Sequence, residues 1–517
     1  MNKISIVWLR RNLRLQDNKS FAAALRSSDK ILPVFIFDTT ILERFKNPRD
    51  RRLSFIANTL CLINDELKKL QGKLLVLYGD PLDIIPKLAS SLKASAIYAD
   101  ADYEPSNIER DRKVQELLGD NGMLHLYCDH LLVPPDKVLT KENKPYKVYT
   151  PYMQAFRKFI ADNGSLEHNK LLTQYIVNSA PFAYKERGAK PIIIGETTSD
   201  DVGKWGSIDY SYNLEGKLYI PKDISLSIID LNKGENEVLK QIGYVYKEDE
   251  LWQPKNARNV LDKFIARRIN SYKTNRDFLY LNGTSTISPY LRFGLISIRE
   301  CYRKAFAASS NPGSITWINE LIWREFYATI LYHFPNTINE EFQEKYRRKI
   351  PWNHNKEYFE KFINAETGYP IIDAAVKQLL CDGWMHNRAR MIVASFFSKN
   401  LLLDWRKGEE FFAQYLMDYE LASNVGGWQW ASSCGTDAQP YFRIFNPYTQ
   451  GKNFDPDAEY IKKYLPILKN VPPHIIHNMN FHKMYDDYPK PIVDYGLSRV
   501  RAIETFKQVA GMQEDLK

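Results

Sequence analysis

Five short apolar runs alternate with helix-like segments over the first 130 residues, and this alternation restricts the possible folds more than any other feature. The runs are ISIVWL, ILPVFIF, KLLVLY, SAIYA and MLHLY. Strands covered on both faces read as continuous apolar runs. Residues 1–130 are therefore predicted to form an α/β domain with a doubly wound parallel sheet. No G-x-G-x-x-G or P-loop motif follows these runs, so dinucleotide binding by this domain is not indicated.

The rest of the chain is organised differently. A length of 517 residues exceeds what one core holds and predicts two or three domains. Residues 131–230 mix Pro, Gly and charges without a period, which predicts a connector with an insertion around 184–230. Helical periodicity dominates from about residue 255. We therefore assign residues 231–495 to an all-α domain and 496–517 to a short C-terminal tail.

Composition narrows the classes of partner and compartment. A net charge of +9 and a pI near 8.9 favour a polyanionic partner. The five cysteines lie far apart, which is typical of reduced thiols in a cytosol-like compartment. No run approaches the roughly 18 apolar residues of a membrane span, and the first residues lack the apolar stretch of a signal peptide. We expect a monomeric cytoplasmic protein with no membrane partner.

The helical half is rich in large aromatic rings. It holds eight of the ten tryptophans: Trp252, Trp317, Trp323, Trp352, Trp384, Trp405, Trp428 and Trp430. Within NVGGWQWASSCGTDAQPYFRIFNP, two of them are only two positions apart along the chain. Such rings fill ordinary cores, but helical cores prefer Leu and Ile, so packing and a role in ring binding or electron conduction are both open.

Two helical segments place polar side chains beside aromatic ones. At helical spacing, Trp317, Glu320 and Arg324 share one face in WINELIWREFY, and Trp384, Asn387, Arg388 and Met391 share one face in GWMHNRARM. Each polar group could bind a ligand edge or be a satisfied group of the core. Asp418 and Arg390 are candidates for a buried ion pair, with a surface pair as the alternative.

A hydroxyl-rich loop precedes a predicted helix start. The segment YKTNRDFLYLNGTSTIS contains Tyr272, Arg276, Thr284, Ser285, Thr286 and Ser288. Hydroxyls and backbone N–H groups at a helix start can bind phosphate, although hydroxyl caps are common in helices without ligands. His474, His477 and His482 lack an acidic or Cys ligand to complete a metal set, so we predict no metal site.

Taken together, these segments resemble the photolyase and cryptochrome family, and most closely its class I photolyases for cyclobutane pyrimidine dimers. The matching motifs are VWLRRNLRLQDN, KVYTPY, NGTSTIS, WINELIWREFY, TGYPIIDAA, GWMHNRARM and the stretch from NVGGWQW to FRIFNP. The resemblance covers nearly the whole chain apart from the insertion around 184–230.

The resemblance implies a bent FAD in the helical domain. Its phosphate and ribose side would be held by Tyr272, Thr284, Ser285, Thr286, Ile287 and Ser288. Its flavin and adenine would be lined by Trp317, Arg324, Arg390, Asp418, Tyr419 and Glu420, with Asn424 facing the flavin N5. A neutral amide can adapt its hydrogen bond to the protonation state of N5.

It also implies light-driven repair of UV-damaged DNA, in which the excited reduced flavin donates an electron to a dimer that has left the duplex stack. Glu320 and Asn387 would hydrogen-bond the pyrimidine edge. The aromatic wall would be Trp323 and Trp430, and the remaining predicted DNA contacts are Arg276, Arg388, Met391 and Arg443. Trp428, Trp405 and Trp352 match the electron-relay triad of the family.

Two rival functions remain within this resemblance. Enzymes that repair the (6-4) photoproduct have histidines where this chain has Asn387 and Met391, which argues against that substrate. A cryptochrome acting in light signalling is the other rival, because a fold and a cofactor do not fix a function. Plant cryptochromes, however, carry Asp at the Asn424 position and long tails.

Two positions depart from the family pattern. The family usually has Asp where this chain has Glu420. The Asn-Glu pair of folate-binding relatives is replaced by Ser106 and Asn107, so methenyltetrahydrofolate is disfavoured as an antenna. Asp38, Asp102, Glu104 and Arg292 look more like relatives that bind a deazaflavin or a second flavin, although an empty antenna pocket remains open.

Overall fold

The predicted apolar runs are the strands of one sheet. The computed structural model describes residues 3–119, 123–163, 214–221 and 225–511. Its strands are β1 (Ile4–Leu9), β2 (Lys30–Asp38), β3 (Leu75–Gly79), β4 (Ala96–Asp100), β5 (Leu124–Tyr127) and β6 (Ile228–Ile229). The order is β5-β4-β1-β2-β3-β6, with β1 to β5 parallel and β6 antiparallel to β3. The α/β domain is confirmed, with one short antiparallel strand added at its edge.

Helices cover both faces of this sheet, which is why its strands are apolar throughout. They are Lys19–Ser27, Thr39–Leu42, Arg51–Lys69, Pro81–Leu92 and Pro105–Leu118. Alternate residues of β1 pack on opposite sides, with Ile6 and Trp8 in one cluster and Val7 and Leu9 in the other. Asp carboxylates accept backbone N–H groups at the starts of several of these helices, as Asp50 does from Arg52 at 2.9 Å.

The second half is helical, as predicted. Its α-helices are Ala257–Arg267, Tyr272–Asn275, Ser288–Arg292, Ile298–Ala307, Pro312–His333, Lys356–Ile363, Pro370–Asp382, Asn387–Ser395, Trp405–Tyr415, Leu421–Ala431, Pro447–Phe454, Glu459–Tyr464, Pro473–Ile476, Phe481–Met484 and Tyr495–Gly511. A π-helical turn, Phe396–Asn400, continues Asn387–Ser395. The largest apolar cluster of the described residues lies among these helices.

The domain limits differ in detail from the predicted ones. Much of the predicted insertion around 184–230 lies outside the described residues, but the connector contributes the helix Tyr149–Asn163 and strand β6. The helix Gly234–Gln241, placed by sequence in the helical domain, packs with the sheet domain because Val238 and Leu239 complete its apolar cluster. The predicted tail after 495 lies largely in Tyr495–Gly511, whose Phe506 is fully buried.

The two domains meet at the carboxyl ends of β1 and β4, where the strand order of a doubly wound sheet reverses. Leu13, just after β1, donates its backbone N–H to the carbonyl of Phe293 at 3.1 Å. Gly294 has φ +72°, and a Cβ there would lie 1.9 Å from the carbonyl oxygen of Arg11. Only glycine permits this approach, so the start of the chain is fitted closely to the helical domain.

Candidate cofactor and DNA site

One cavity of about 490 Å³ in the helical domain collects most of the predicted site residues. Every predicted FAD contact except Tyr419 lines it, namely Tyr272, Thr284, Ser285, Thr286, Ile287, Ser288, Trp317, Arg324, Arg390, Asp418, Glu420 and Asn424. The predicted DNA contacts that line it are Arg276, Glu320, Trp323, Asn387, Met391 and Trp430. A volume of this size is within the range of cofactor pockets. The two predicted sets therefore share a single cavity.

The hydroxyl loop forms one end of the cavity. Gly283 permits its tight turn, because a Cβ there would lie 2.4 Å from the carbonyl oxygen of Asn275. Thr286 adopts φ +54° and donates its hydroxyl to the carbonyl of Ser285 at 2.7 Å. The hydroxyls of Thr284 and Ser285 form no hydrogen bond with any of the described residues. These hydroxyls are thus free to bind a ligand.

The long helix Pro312–His333 provides the wall expected from WINELIWREFY. Trp317, Glu320 and Arg324 line the cavity together, as their spacing predicted. Glu320 is not deeply buried: its side chain is 30% exposed, and Arg276 donates Nη1 to its Oε1 at 2.5 Å. Trp323 stacks on Tyr149 of the KVYTPY motif, with ring centroids 3.6 Å apart and planes 6° from parallel. A carboxylate, a guanidinium and a broad aromatic surface meet at the cavity mouth.

The prediction of one continuous helical face through GWMHNRARM is wrong. The helix Pro370–Asp382 ends at Gly383 in the left-handed conformation, φ +64°, and Trp384 lies in a loop before Asn387–Ser395 begins. Trp384 still lines the cavity and donates Nε1 to Ser288 Oγ at 3.2 Å. Arg388 does not line it: the guanidinium binds Asp277 at 2.8 Å. The αL residue and a new helix cap break the register that sequence spacing assumed.

Asn424 is oriented by its neighbours. Its Nδ2 donates to Glu409 Oε1 at 3.0 Å and to the Glu409 carbonyl at 3.1 Å. Its Oδ1 is therefore the atom left to face the cavity, which Asn424 lines. Tyr419, predicted to contact the cofactor, instead donates its hydroxyl to the same Glu409 oxygen at 3.0 Å. Burial raises the pKa of Glu409, while hydrogen bonds from Asn424 and Tyr419 oppose that rise.

The ion pair predicted between Arg390 and Asp418 is present. The guanidinium Nη2 binds both carboxylate oxygens, at 2.8 and 3.0 Å, and both residues line the cavity. The Asp418 side chain is 5% exposed and that of Arg390 is 27% exposed. The carboxylate of the pair is therefore buried and its guanidinium is partly buried, so the alternative of an exposed surface ion pair is excluded.

The three tryptophans of the predicted relay differ in their burial and in their surroundings. Trp428 lines the cavity, and its buried Nε1 has no hydrogen-bond partner among the described residues. Trp405 is fully buried and donates Nε1 to Glu341 Oε1 at 3.3 Å. Trp352 is partly buried, with its ring centroid 6.3 Å from that of Phe506. Trp430 lines the same cavity but is only partly buried, so the two rings of WQW differ in exposure.

Glu420 is the centre of a buried charge network between the domains. Oε1 accepts hydrogen bonds from Arg11 and Arg324 at 2.8 Å each and from the Tyr103 hydroxyl at 3.0 Å. Oε2 accepts from Arg324 Nε at 3.0 Å. Burial alone would raise the pKa of Glu420, but the guanidinium groups of Arg324 and Arg11 outweigh it and lower the pKa to about 2. The carboxylate is ionised at neutral pH.

The four predicted antenna residues all make contacts within the protein. Arg292 lines the cofactor cavity and donates Nε to the carbonyl of Tyr419. Glu104 and Asp102 accept hydrogen bonds from Arg11 at the domain boundary, at 3.0 and 3.3 Å. Asp38 ends β2, 3.9 Å from the guanidinium of Arg110. Sequence reasoning did not select Arg11, which binds the acidic side chains of Asp102, Glu104 and Glu420 around it.

Arg443 lies on an exposed loop and does not line the cavity. Its neighbour Phe442 is 59% exposed, which is unusual for a large ring. Other lining residues that sequence reasoning did not select are Leu291, Leu321, Tyr327, Met385, Ala394, Phe412, Leu416, Ser423 and Gly427. Most are apolar, and only their positions in the fold distinguish them from core residues.

The described ranges contain no metal-binding cluster, disulfide or membrane-spanning helix. No set of three His, Cys, Asp or Glu residues there could hold a metal ion. His477 donates Nε2 to the carbonyl of Asp455 at 2.9 Å. The five cysteines are free thiols. No helix in these ranges is long and apolar enough to cross a membrane.

The protein has two domains, one built on a parallel sheet and one helical. The cavity of the helical domain combines hydroxyls, guanidinium groups and indole rings, which are the groups that bind a nucleotide-like cofactor. Residues 317–508 match the family model for the FAD binding domain of DNA photolyase, and residues 5–168 match that for DNA photolyase. A deoxyribodipyrimidine photo-lyase of Alkalihalophilus pseudofirmus is 33% identical and is aligned over 98% of both chains. The chain belongs to the DNA photolyase family.

Solved structures agree in fold. A bacterial class III photolyase from Agrobacterium tumefaciens is 28% identical, with a TM-score of 0.77 and 98% of both chains covered. An archaeal photolyase from Sulfolobus tokodaii, described with two FAD molecules, is 29% identical, with a TM-score of 0.76 over 98% of this chain and all of that chain. The helical half is accordingly an FAD-binding domain.

The residues present fit FAD. Unpaired hydroxyls at Thr284 and Ser285 can bind phosphate oxygens, and the orphaned Nε1 of Trp428 shows that the protein leaves a buried donor for a ligand. Gly427 lines the cavity, and a Cβ there would meet no atom within 4 Å. The cavity is therefore shaped and equipped for a cofactor that has both phosphates and a flat ring.

Proposed function

We propose that this protein repairs cyclobutane pyrimidine dimers in UV-damaged DNA in a light-dependent reaction with FAD. The observation that carries the proposal is the single cavity, which is lined both by predicted cofactor contacts and by Glu320, Asn387 and Trp430. The names of the curated relatives, all deoxyribodipyrimidine photo-lyases, support the same activity. When bound and fully reduced, FAD would supply one electron on excitation and take it back after the dimer opens.

The protein's own residues would bind the lesion and position it. Trp323, held flat against Tyr149, and Trp430 would cover the faces of a pyrimidine dimer that has left the stack. Asn387, the first residue of its helix, would reach the pyrimidine edge. Glu320 can do so only if Arg276 shares its carboxylate or turns to a DNA phosphate. Arg388 and Arg443 lie outside the cavity and would contact the DNA strand.

Trp428, Trp405 and Trp352 would carry electrons towards the cofactor. Trp428 and Trp405 are both less than 3% exposed, so neither loses the electron directly to solvent. Asn424 would present Oδ1 to the flavin N5, because Glu409 engages its Nδ2. The amide is therefore arranged as an acceptor for a protonated N5.

For a second chromophore, we favour a flavin or deazaflavin over methenyltetrahydrofolate. The Sulfolobus tokodaii photolyase was described with two FAD molecules. In this chain, Asn107 donates Nδ2 to Asp102 Oδ2 at 2.9 Å and is thus engaged within the protein. The carboxyl edge of the sheet brings together Asp38, Arg110 and the ring of Trp8. These side chains are more suitable than Asn107 for contacting a second chromophore.

The test is repair of an oligonucleotide with a single cyclobutane thymine dimer by the purified, FAD-loaded protein under blue light and in the dark. We expect restoration of the intact thymines in the light only, and a strongly reduced yield for Asn387→Ala at limiting DNA. Repair of a (6-4) oligonucleotide instead would support the other substrate. A light-induced flavin spectral change without repair of either lesion would overturn the proposal in favour of signalling.

A further inference from the structure

Lys399 is a lysine buried in an unusual place. It belongs to the π-helical turn Phe396–Asn400, and its side chain is fully buried. π-Helical turns are rare and are frequently found near functional sites. Within the described residues, Lys399 has no ion pair with a carboxylate. Buried lysines without an acidic partner are costly, so this one calls for an explanation.

The ammonium group holds the loop that follows WQW. Nζ donates to Ser433 Oγ at 2.6 Å, to the Arg443 carbonyl at 3.1 Å and to the Tyr441 carbonyl at 3.4 Å. Its three N–H donors thus meet three acceptors, two of which flank the exposed ring of Phe442. Other bonds fix the far side of the loop: Thr436 and Asp437 bind the backbone of residues 147 and 149.

We propose that Lys399 is a positioning residue that holds the Tyr441–Arg443 segment in the conformation in which it contacts damaged DNA. The inference rests on the proposed function, which assigns Arg443 to the DNA strand. Because the segment is exposed on one side and bound through its carbonyls on the other, loss of the ammonium would free Arg443 and Phe442 without altering the cofactor cavity, which Lys399 does not line.

The number of hydrogen bonds that Lys399 donates to this segment depends on whether its side chain is protonated, and therefore on pH. Burial lowers the pKa of Lys399 to about 7, and the nearby Cys434 thiol opposes the shift. The other titratable groups of the packed elements are the phenols of Tyr441 and Tyr346, and Arg501 of the last helix binds the carbonyl of Asn400. Below about pH 7 the ammonium has three donors for three acceptors, whereas the neutral amine above it has only two.

The contribution of Lys399 to the free energy of unfolding should change with pH in the direction opposite to its contribution to DNA binding. The pKa of Lys399 in the folded protein lies below the ordinary value of about 10.4, so the unfolded chain binds this proton more tightly. Its contribution to folding is therefore least favourable below pH 7 and improves as the pH rises towards 10.4.

The experiment measures the dissociation constant for a dimer-containing duplex in the dark, with FAD-loaded protein at pH 6.0, 7.0 and 8.5. We expect Lys399→Met to weaken binding at pH 6.0 by about tenfold, equivalent to about 1.4 kcal/mol, with an unchanged flavin spectrum and unchanged repair per bound lesion. The wild type should lose affinity between pH 6.0 and 8.5 more steeply than the variant. Ser433→Ala, which removes one acceptor, should give a smaller loss.

Lys240→Met is the matched control, because it removes the same charge from a side chain that is 76% exposed on the sheet domain. Arg443→Ala tests the loop itself. If the wild type does not bind the lesion, the proposed function fails. If Arg443→Ala weakens binding while Lys399→Met and Ser433→Ala leave both affinity and its pH profile unchanged, only the role of Lys399 is overturned. If Arg443→Ala also binds normally, the loop is not a DNA contact and the inference is wrong.

Discussion

Asn424 shows how one side chain can be fixed by what lies behind it. Its Nδ2 faces two acceptors of Glu409, the carbonyl and Oε1, so the amide cannot turn over without setting its own oxygen against both of them. Unsatisfied buried donors and opposed acceptors each cost about 1–3 kcal/mol. The identity of Glu409 therefore decides which atom Asn424 presents to the cavity.

We predict that Asn424→Asp destabilises the protein in a pH-dependent way. A second carboxylate would lie about 3 Å from Glu409, whose pKa burial already raises. Like charges raise the pKa of one member of the pair further. A folded pKa above the unfolded value gives stability that is present below the unfolded value, about 4, and lost as the pH rises through the folded one.

Thermal unfolding of apoprotein at pH 5 and pH 8 measures this. We expect a deficit in Tm for Asn424→Asp that is small at pH 5 and larger at pH 8, corresponding to about 1–3 kcal/mol. Asn424→Ser, which loses the donor without adding a charge, should show a smaller change in its deficit between pH 5 and pH 8. A constant deficit for Asn424→Asp would mean that Glu409 is not its ionised neighbour.

Two adjacent helices set the position of the first relay ring. Trp405–Tyr415 and Leu421–Ala431 pack so closely that a Cβ at Gly408 would lie 2.2 Å from the ring of Trp428. The ring is also packed edge-on against Phe412 and Phe397, with centroids 4.9 and 5.4 Å apart. Gly408 thus permits the helix contact that places Trp428 between the cavity and the core.

We predict that Gly408→Ala lowers stability by about 1–3 kcal/mol through overpacking and slows light-driven reduction of the bound flavin, since the ring must move. Gly427→Ala is its matched counterpart on the neighbouring helix. A Cβ there meets no protein atom within 4 Å, so apoprotein should gain about 0.5–1 kcal/mol from helix propensity. Urea unfolding of both apoproteins and flavin photoreduction of the loaded ones measure the pair, and equal stability would contradict the packing argument.

Gly427→Ala should also weaken FAD binding, because the added methyl group projects into the cavity that Gly427 lines. Retention of FAD during gel filtration, compared with wild type, measures this. The combination of a more stable apoprotein and a less well-bound cofactor would show that the space beside Gly427 belongs to the ligand. Unchanged retention would place the cofactor elsewhere in the cavity.

The sequence predicted elements well where period and burial agree, and less well where a single residue interrupts them. The five apolar runs became β1 to β5, and the spacing of Trp317, Glu320 and Arg324 placed them together. The same reasoning failed at Trp384. Gly383, in the left-handed conformation, ends the helix before it, so helical spacing no longer predicts which side chains share a face. The partners of Arg11 could not be inferred at all, since Asp102, Glu104 and Glu420 are distant in the sequence and meet only through the fold.

The two domains are joined by charge as well as by apolar packing. Arg11 of the sheet domain and Arg324 of the helical domain share the carboxylate of Glu420, which is 7% exposed. Glu420 also lines the cofactor cavity. The contact that joins the domains is therefore part of the cavity that also holds the predicted cofactor contacts, and the Glu420 side chain has the reach to bind both arginines.

We predict that Glu420→Asp loses about 1–2 kcal/mol of stability, because a side chain shorter by one methylene cannot keep both guanidinium contacts. Glu420→Gln should lose more, about 3–5 kcal/mol, since it leaves buried guanidinium groups without their counter-charge. The pKa of Glu420 is lowered to about 2, so its stabilisation is present above the unfolded value of about 4.3 and is lost as the pH falls towards 2.

Denaturant unfolding from pH 3 to pH 7 measures both variants against Glu410→Gln, which removes a carboxylate that is 63% exposed and should have almost no effect on stability. The deficit of Glu420→Gln should be full at pH 6–7 and shrink as the pH falls below about 4.3, where the wild type begins to lose its own ion pairs. A deficit that persists undiminished at pH 3 would show that packing, and not the charge shared with Arg11 and Arg324, joins the domains at this point.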